Sequence, residues 1–397
     1  MTRVYKPLGE LGTIVTGKTP KTDVKEYWDG DIPFITPTDV SGYDTYYQTE
    51  TERYITALGA SRQKTTVIPS NSVCVTCIGS TVGKSCLSVK TSITNQQINT
   101  IIPNEGNDYR YILYLLRYNL PYIQLIGGGS GSGTPIISKN KFSKFKFLVE
   151  TDLSVQQRIA SILSAYDKLI ENNNKRIRIL EKMAENLYKE WFVRFRFPGH
   201  ESVPMENGLP KGWHQWHLGD VANVTMGQSP KSEYYNEDGL GMPFHQGVGS
   251  YGYFYLHNEM FSTEGNKIAK ANSIIFSVRA PVGRINVTTQ DIIIGRGLAS
   301  ICSKKGNDAF LLWALKYRFS KEDIIGNGAI FSSVTKDELV RQKIMIPDNF
   351  ILRRFNDIAT DIERTLRTIT IQSFNLARQR DLLLPRLMSG KLSINVD

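Results

Sequence analysis

Cysteine, long apolar runs and catalytic signatures are all scarce in this chain, and each scarcity excludes a class of protein. Four cysteines (Cys74, Cys77, Cys86 and Cys302) among 397 residues do not make a disulfide framework. No apolar run reaches the roughly 18 residues of a membrane span, so no membrane role is expected. Met1 to Lys21 lacks the apolar core of a signal peptide, which makes a reducing cytoplasm the expected location. The Asn/Asp-Pro-Pro-Tyr/Phe run with which amino-methyltransferases hold a flipped base is missing, and no carboxylate–lysine cluster suggests a nuclease. A catalytic role is therefore not expected.

What remains is an ordinary globular composition with a basic excess. The net charge of +10 and pI near 9.2 favour an acidic polymer such as nucleic acid. The excess is spread thinly: residues 1–150 hold 16 basic and 12 acidic side chains, and residues 213–347 hold 14 and 12.

The chain says nearly the same thing twice. Leu8-Gly9-Glu10 and Thr16-Gly17-Lys18-Thr19-Pro20-Lys21 return as Leu218-Gly219-Asp220 and Met226-Gly227-Gln228-Ser229-Pro230-Lys231. Ile32-Pro33-Phe34 matches Met242-Pro243-Phe244 at the same offset, and Val82-Gly83-Lys84 matches Val282-Gly283-Arg284 at a shorter one. Repeats of this size are whole domains, so a tandem pair with pseudo-twofold logic is expected. Two diverged readers on one chain suit a target with two different halves.

Periodicity predicts strands over Ser72–Ile78, Ile93–Ile102 and Phe145–Val149 and a helix over Tyr109–Tyr118. Residues 213–347 repeat that order with Ser273–Val278, Asp291–Ile301, a helix over Ala309–Phe319, and Lys343–Ile346. Each unit reads as a mixed α/β domain. A Gly-Ser tract over Gly127–Thr134 and its shorter counterpart Gly326–Ala329 read as loops.

A long amphipathic helix follows each unit. The first carries the stripe Val155, Ile159, Ile162, Tyr166, Leu169, Ile177, Leu180, Leu187 and Trp191, with Asn173 inside it. The second carries Ile351, Phe355, Ile358, Ile362, Ile369, Leu376, Leu383 and Leu387. A helix of ~37 residues is ~55 Å long. The two stripes are expected to bury each other as an antiparallel coiled coil. The implied division is a first domain over 1–150, a helix over 151–197, a linker over 198–212, a second domain over 213–347, and a second helix with a tail over 348–397. The aromatic–basic stretch Trp191–Phe197 reads as a strand, as an apolar docking segment, or equally as basic residues near phosphate.

Three motifs look like chemistry. Gly12 to Thr19 fits the P-loop pattern letter for letter, which would make the chain a nucleotide hydrolase, but the second copy loses the motif's lysine and its first glycine. Cys74-x-x-Cys77 hints at zinc, yet residues three apart on a strand point to opposite faces. His214-x-x-His217 has no matching ligands and reads as a surface turn.

The twofold repeat, the Gly-x-Thr-Pro loop, Gln156-Gln157-Arg158-Ile159-Ala160 and Leu384-Pro385-Arg386-Leu387-Met388-Ser389-Gly390-Lys391-Leu392 occur together. In this order and spacing the chain resembles the DNA specificity subunit of type I restriction–modification enzymes. The second helix departs from the usual opening, reading Ile351-Leu352-Arg353-Arg354-Phe355. The resemblance implies two target-recognition domains, each reading one half of a bipartite site in double-stranded DNA. It implies helices that set the spacing and dock two methylation subunits, with restriction subunits joining them. S-adenosylmethionine, ATP and magnesium would belong to those partners, and this chain would hold no cofactor or metal. A coiled-coil scaffold with protein-binding domains is a further alternative.

Candidate DNA contacts fall in matching loops of the two copies. They are Lys18, Lys21, Lys84, Gln96, Gln97 and Lys139 in the first. In the second they are Gln228, Lys231, Gln246, Arg279, Arg284, Arg296 and Lys336.

Overall fold

The period-two alternation of the short strands decides the layering. The computed structural model describes residues 3–40, 46–48, 50–127, 136–320 and 333–394. It divides into two units, one of Met1–Asn172 with Ser373–Asp397 and the other of Asn173–Gln372. The Gly-Ser tract from residue 128 onward and its counterpart Gly326–Ala329 lie outside the described residues.

The first unit opens with β1 (Arg3–Pro7), β2 (Gly12–Thr16), β3 (Trp28–Ile35), β4 (Tyr47–Gln48) and β5 (Arg53–Ile55). Helix α1 (Ala57–Ser61) leads to β6 (Val67–Ile68), β7 (Val73–Thr76), β8 (Ser85–Ser88), β9 (Ser92–Thr94) and β10 (Ile98–Pro103). Then come α2 (Tyr109–Tyr118), α3 (Leu120–Gly127), α4 (Lys139–Ser143), β11 (Lys146–Glu150) and α5 (Leu153–Tyr188). One sheet runs β2-β10-β7-β8-β4, a second runs β5-β3-β9-β6, and β1 pairs with β11. Val73, Val75, Leu87 and Ile101 face one core with α2, while Cys74, Cys86 and Ile98 face another with Ile35 and Ile68. Cys77 falls in the first of these cores and Cys74 in the second, so the CxxC pair is split across the sheet. Burial also pushes the Cys77 thiol up to about 11, the opposite of what a thiolate ligand needs.

Helix α2 is buried on every side from Tyr111 to Arg117. Its start is held by the Asp108 carboxylate, which accepts from the backbone N–H of Arg110 and Tyr111. Gln156 of α5 adds a second clamp, accepting from Asp108 N–H at 2.9 Å and donating to Asn107 Oδ1 at 3.1 Å.

After the second half of α5, the second unit continues with the hairpin β12 (Met205–Glu206) and β13 (Leu209–Pro210), then β14 (His214–His217), α6 (Leu218–Val221) and β15 (Ala222–Met226). Strands β16 (Tyr235–Asn236), β17 (Met242–His245), β18 (Phe261–Ser262), β19 (Ile268–Ala269) and β20 (Ile274–Ser277) follow. After them come β21 (Ile285–Val287), β22 (Ile292–Ile294), β23 (Leu298–Ser303), α7 (Asp308–Arg318), α8 (Lys336–Val340), β24 (Lys343–Ile346) and α9 (Asn349–Ser389). The sheet β15-β23-β20-β21 repeats β2-β10-β7-β8, and β14 pairs with β24 as β1 does with β11. Asn356 repeats the clamp of Gln156, accepting from Phe310 N–H at 3.0 Å and donating to Asn307 Oδ1 at 2.9 Å.

Several expectations need correction. The strands expected over Ile93–Ile102 and Asp291–Ile301 are each two strands, broken by the turns Asn95-Gln96-Gln97 and Gly295-Arg296-Gly297. In the first, Asn95 Oδ1 accepts from Gln97 N–H and closes an Asx turn. His214–His217 is a strand rather than a turn, its backbone recruited by Lys343–Ile346. Trp191–Phe197 is no strand either. Lys189–Val193 winds as a π-helical turn, and Trp191, Phe192 and Phe197 are buried against Trp213, Phe310 and Phe355. Arg194 and Arg196 are exposed and pair with Glu190.

Both long helices are shared between the units. In the first unit Ile159 and Leu163 of α5 join a core with Leu384, Leu387 and Met388 of α9. In the second, Ile177, Ala184 and Tyr188 join Phe355, Ala359, Leu366 and Ile369. The buried face is turned from the expected stripe, leaving Leu169 52% and Ile358 41% exposed while Ile170 and Ala359 are buried. The reason is that each face packs on its α/β core as well as on the other long helix, which shifts its centre.

Asp167 is the charged centre of the first unit. It accepts from Tyr114 Oη at 2.5 Å, Arg380 Nη1 at 2.5 Å and Arg117 Nη1 at 3.3 Å, all of them buried. The matched carboxylate of the second unit, Glu363, has Ala184 where Arg380 would stand. One Glu363 oxygen finds no hydrogen-bond partner among the described residues, and burial pushes its carboxyl up to about 7. Removing one partner of a buried ion pair strands the other, so Arg380→Ala should lower the unfolding free energy by about 3–5 kcal/mol in urea titration. A loss within the scatter of surface substitutions would show that the network contributes little.

Candidate nucleic-acid interface

Antiparallel pairing sets the exit of one strand beside the start of the next. In the first unit Thr16 pairs with Asn99, Ile98 with Thr76, and Val75 with Ser85. The segments leaving β2 and β7 and entering β10 and β8 therefore meet at one end of the sheet. Lys18, Gln96, Gln97 and Lys84 lie on those segments, and Lys21 ends the Gly-x-Thr-Pro-Lys loop. The second sheet delivers its loops to the same end, because β3 and β9 run parallel and Asn95 N–H reaches Ile35 O at 3.0 Å.

The second unit repeats the construction. Met226 pairs with Ala299, Ser277 with Leu298, and Phe276 with Ile285. Gln228, Arg296, Arg279 and Arg284 thus share one end, and Gln246 joins them where β17 stops beside β22. Gln246 and Arg279 line one cavity of about 200 Å³ with Ser277 and Gly297. Among the described residues Lys18, Lys21, Arg279 and Arg296 carry no ion pair, whereas Lys231 lies 3.5 Å from Glu233. Cations left without counter-charges suit phosphate contact.

Two candidates stand apart. Lys139 lines a groove with Gly9, Gly12, Thr13, Asn104 and Ser143, at the start of β2 rather than its exit. Lys336 opens α8, which packs against α6 ahead of β15. The P-loop reading fails on geometry, since Gly12–Thr16 is itself a strand and no helix begins at Lys18.

Sequence reasoning missed the residues that hold these loops. Thr36, at the position of Gln246, donates from its hydroxyl to Asp39 Oδ2 at 2.7 Å and lies 2.7 Å from Thr38 Oγ1. His245 is buried, with Nδ1 2.7 Å from Ser250 Oγ and Nε2 3.0 Å from Asn258 Oδ1. It braces the loop that follows Gln246. The signal was available in the repeat offset, which carries Gln246 back to Thr36. Among the described residues no cluster of three or more His, Cys, Asp or Glu side chains could hold a metal ion.

Comparison with known proteins identifies the family of the chain. A model of the type I restriction modification DNA specificity domain matches twice, over residues 3–182 and 210–369. The chain therefore belongs to the type I restriction–modification DNA specificity family. It is similar to the type I restriction enzyme MjaIX specificity subunit of Methanocaldococcus jannaschii, 29% identical over 98% of this chain and 93% of that one. The HindI specificity subunit of Haemophilus influenzae is 31% identical over 44% of this chain and 38% of its own length. The crystal structure of the S subunit of a type I restriction–modification system from M. genitalium shares the fold, with a TM-score of 0.61, 17% identity, and coverage of 98% of this chain and 96% of that one.

The burial of His245 predicts an acid sensitivity of the second unit. Burial holds its pKa below the ordinary 6.5, with the Asn258 contact pulling the other way. Below pH 6.5 the unfolded chain binds this proton more readily than the folded one, so the contribution is present above that pH and lost as pH falls. Unfolding free energies measured from about pH 7 to 5 should fall less steeply for His245→Asn than for the parent chain. Equal slopes would remove His245 as the cause.

Proposed function

We propose that this chain is the DNA specificity subunit of a type I restriction–modification complex, with each unit reading one half of a bipartite site in duplex DNA. The observation that carries this reading is the repeated sheet end, built on one scaffold but presenting different side chains in the two units. Lysines and arginines there contact phosphate, while Gln and Arg side chains reach base edges in the major groove. Lys139 and Lys336 sit far enough along the scaffold to serve flanking phosphates.

The helices α5 and α9 act as an antiparallel coiled-coil spacer and as the docking surface for two methylation subunits. Support comes from Asp167 meeting Arg380 in one unit and Tyr188 meeting Phe355 in the other, partners that run in opposite directions along the two helices. A 36-residue α5 is ~54 Å long, an upper bound of ~16 base pairs between the half-sites. Restriction subunits complete the assembly. S-adenosylmethionine, ATP and magnesium act on those partners, in the cytoplasm, and this chain is not itself an enzyme. No described helix is long and apolar enough to cross a membrane.

Two measurements test the reading. Replacing residues 1–150 with the corresponding domain of a relative should change one half-site in the methylome of a host expressing the complex. A change in both halves would overturn the division of labour. Inserting four residues in both helices, near Asn173 and near Ile369, adds ~6 Å to each and about one turn. The unread spacer should lengthen by one or two base pairs (~3.4 Å each) with the half-sites unchanged. The same insertion in one helix alone should destabilise the chain, and an unchanged spacer with both insertions would rule out the helices as the ruler.

A further inference from the structure

The shared Gly-x-Ser/Thr-Pro loop has a job that its two copies perform in the same place. In the first unit Thr19 Oγ1 donates to Gln96 Oε1 at 2.7 Å. In the second, Ser229 Oγ accepts from Arg296 N–H at 3.3 Å. Thr19 and Ser229 are matched residues of the repeat, and Gln96 and Arg296 are the matched tips of the turns β9–β10 and β22–β23. Each loop hydroxyl thus holds the tip beside it.

We infer that this tip is a base-reading position, with Gln96 reading an adenine in the first half-site and Arg296 a guanine in the second. The inference rests on the DNA-reading function proposed above. Gln96 is exposed, and the Thr19 hydroxyl fixes which way its amide faces. One carbonyl lone pair and both N–H donors remain, the set that matches adenine N6 and N7.

Arg296 is exposed and carries no ion pair among the described residues, so its fork of donors is unspent. Its backbone is tightly seated. A Cβ on Gly297 would lie 2.3 Å from Gln246 O, and one on Gly295 would lie 3.0 Å from Ser229 Oγ and 3.1 Å from Gln246 Cα. The two glycines let the turn press onto the exit of β17 while Arg296 projects between them. A guanidinium held at its root and free at its end matches guanine O6 and N7. The tip backbone is left-handed in neither unit, so exchanging the two side chains brings no backbone strain.

The test uses the full chain assembled with its methylation subunit and a pool of duplexes with randomised sequence, sequenced after selection. Gln96→Arg should replace one A·T pair of the first half-site by G·C, and Arg296→Gln should replace one G·C pair of the second by A·T. Each should leave the other half-site alone and weaken binding to the original sequence about ten- to a hundredfold. A parent chain that selects no bipartite sequence overturns the function proposed above and this inference with it. A bipartite parent sequence left unchanged by both variants overturns this inference alone. If an exchange abolishes all binding, Gln96→Ala and Arg296→Ala decide. Degeneracy at one base pair supports the assignment, while an unchanged sequence or a total loss gives the tip a role other than reading and overturns it.

Discussion

A buried carboxylate with three donors around it is the interaction on which the first unit depends. Asp167 is out of water, and its charge is tolerable only because Arg117, Arg380 and the Tyr114 hydroxyl replace the solvent. Tyr114 and Arg117 come from the central helix α2 and Arg380 from α9, so one side chain ties the α/β core to both long helices. The second unit keeps the carboxylate as Glu363 and loses the arginine, leaving burial to push it up to about 7. The two halves therefore share a shape while differing in charge at its centre. A pseudo-symmetric chain that must not mispair its own helices is served by such a difference.

The proposed reading ends follow from sheet geometry rather than from any signature. Antiparallel neighbours return their loops to alternate ends, and the parallel pairs β3 with β9 and β17 with β22 bring the second sheet's exits to the same place. Side chains at the tips can diverge without disturbing the strands. At matched positions the first unit presents Thr36, Ile78 and Gln96 where the second presents Gln246, Arg279 and Arg296. A stable scaffold with variable tips is what reading two unlike sequences requires.

Much of this was legible in the chain. The repeat offsets pointed to two matching halves, Lys343–Ile346 stands as a strand, and Tyr109–Tyr118 as a helix. The phase of the long helices was not legible, because Leu169 and Ile170 are both apolar and only the packing partner decides which is inside. The unusual opening of the second helix concealed a similar task, since Asn356 donates to Asn307 as Gln156 donates to Asn107. His214–His217 could not be recognised as a strand from its polar sequence, because its partner lies about 130 residues away. Thr36 and His245 were overlooked for a related reason: both act by bracing loops, and bracing depends on partners that spacing alone does not reveal.

Strand β1 and the last turn of α9 are fastened together. Arg3 donates to the carbonyls of Met388 at 2.6 Å and Leu387 at 2.9 Å, closing the last turn of α9 where Gly390, at a φ of 82°, makes room for the guanidinium. The ribosome must therefore release some 200 further residues after Asn172 before the first unit can be completed, roughly 10–40 s of synthesis. Until then Asp167 waits without Arg380, and the apolar seats of Leu384, Leu387 and Met388 stay open. A chain that stops before Ser373 consequently presents an unfinished core in the first unit, which the residues from Ser373 onward close.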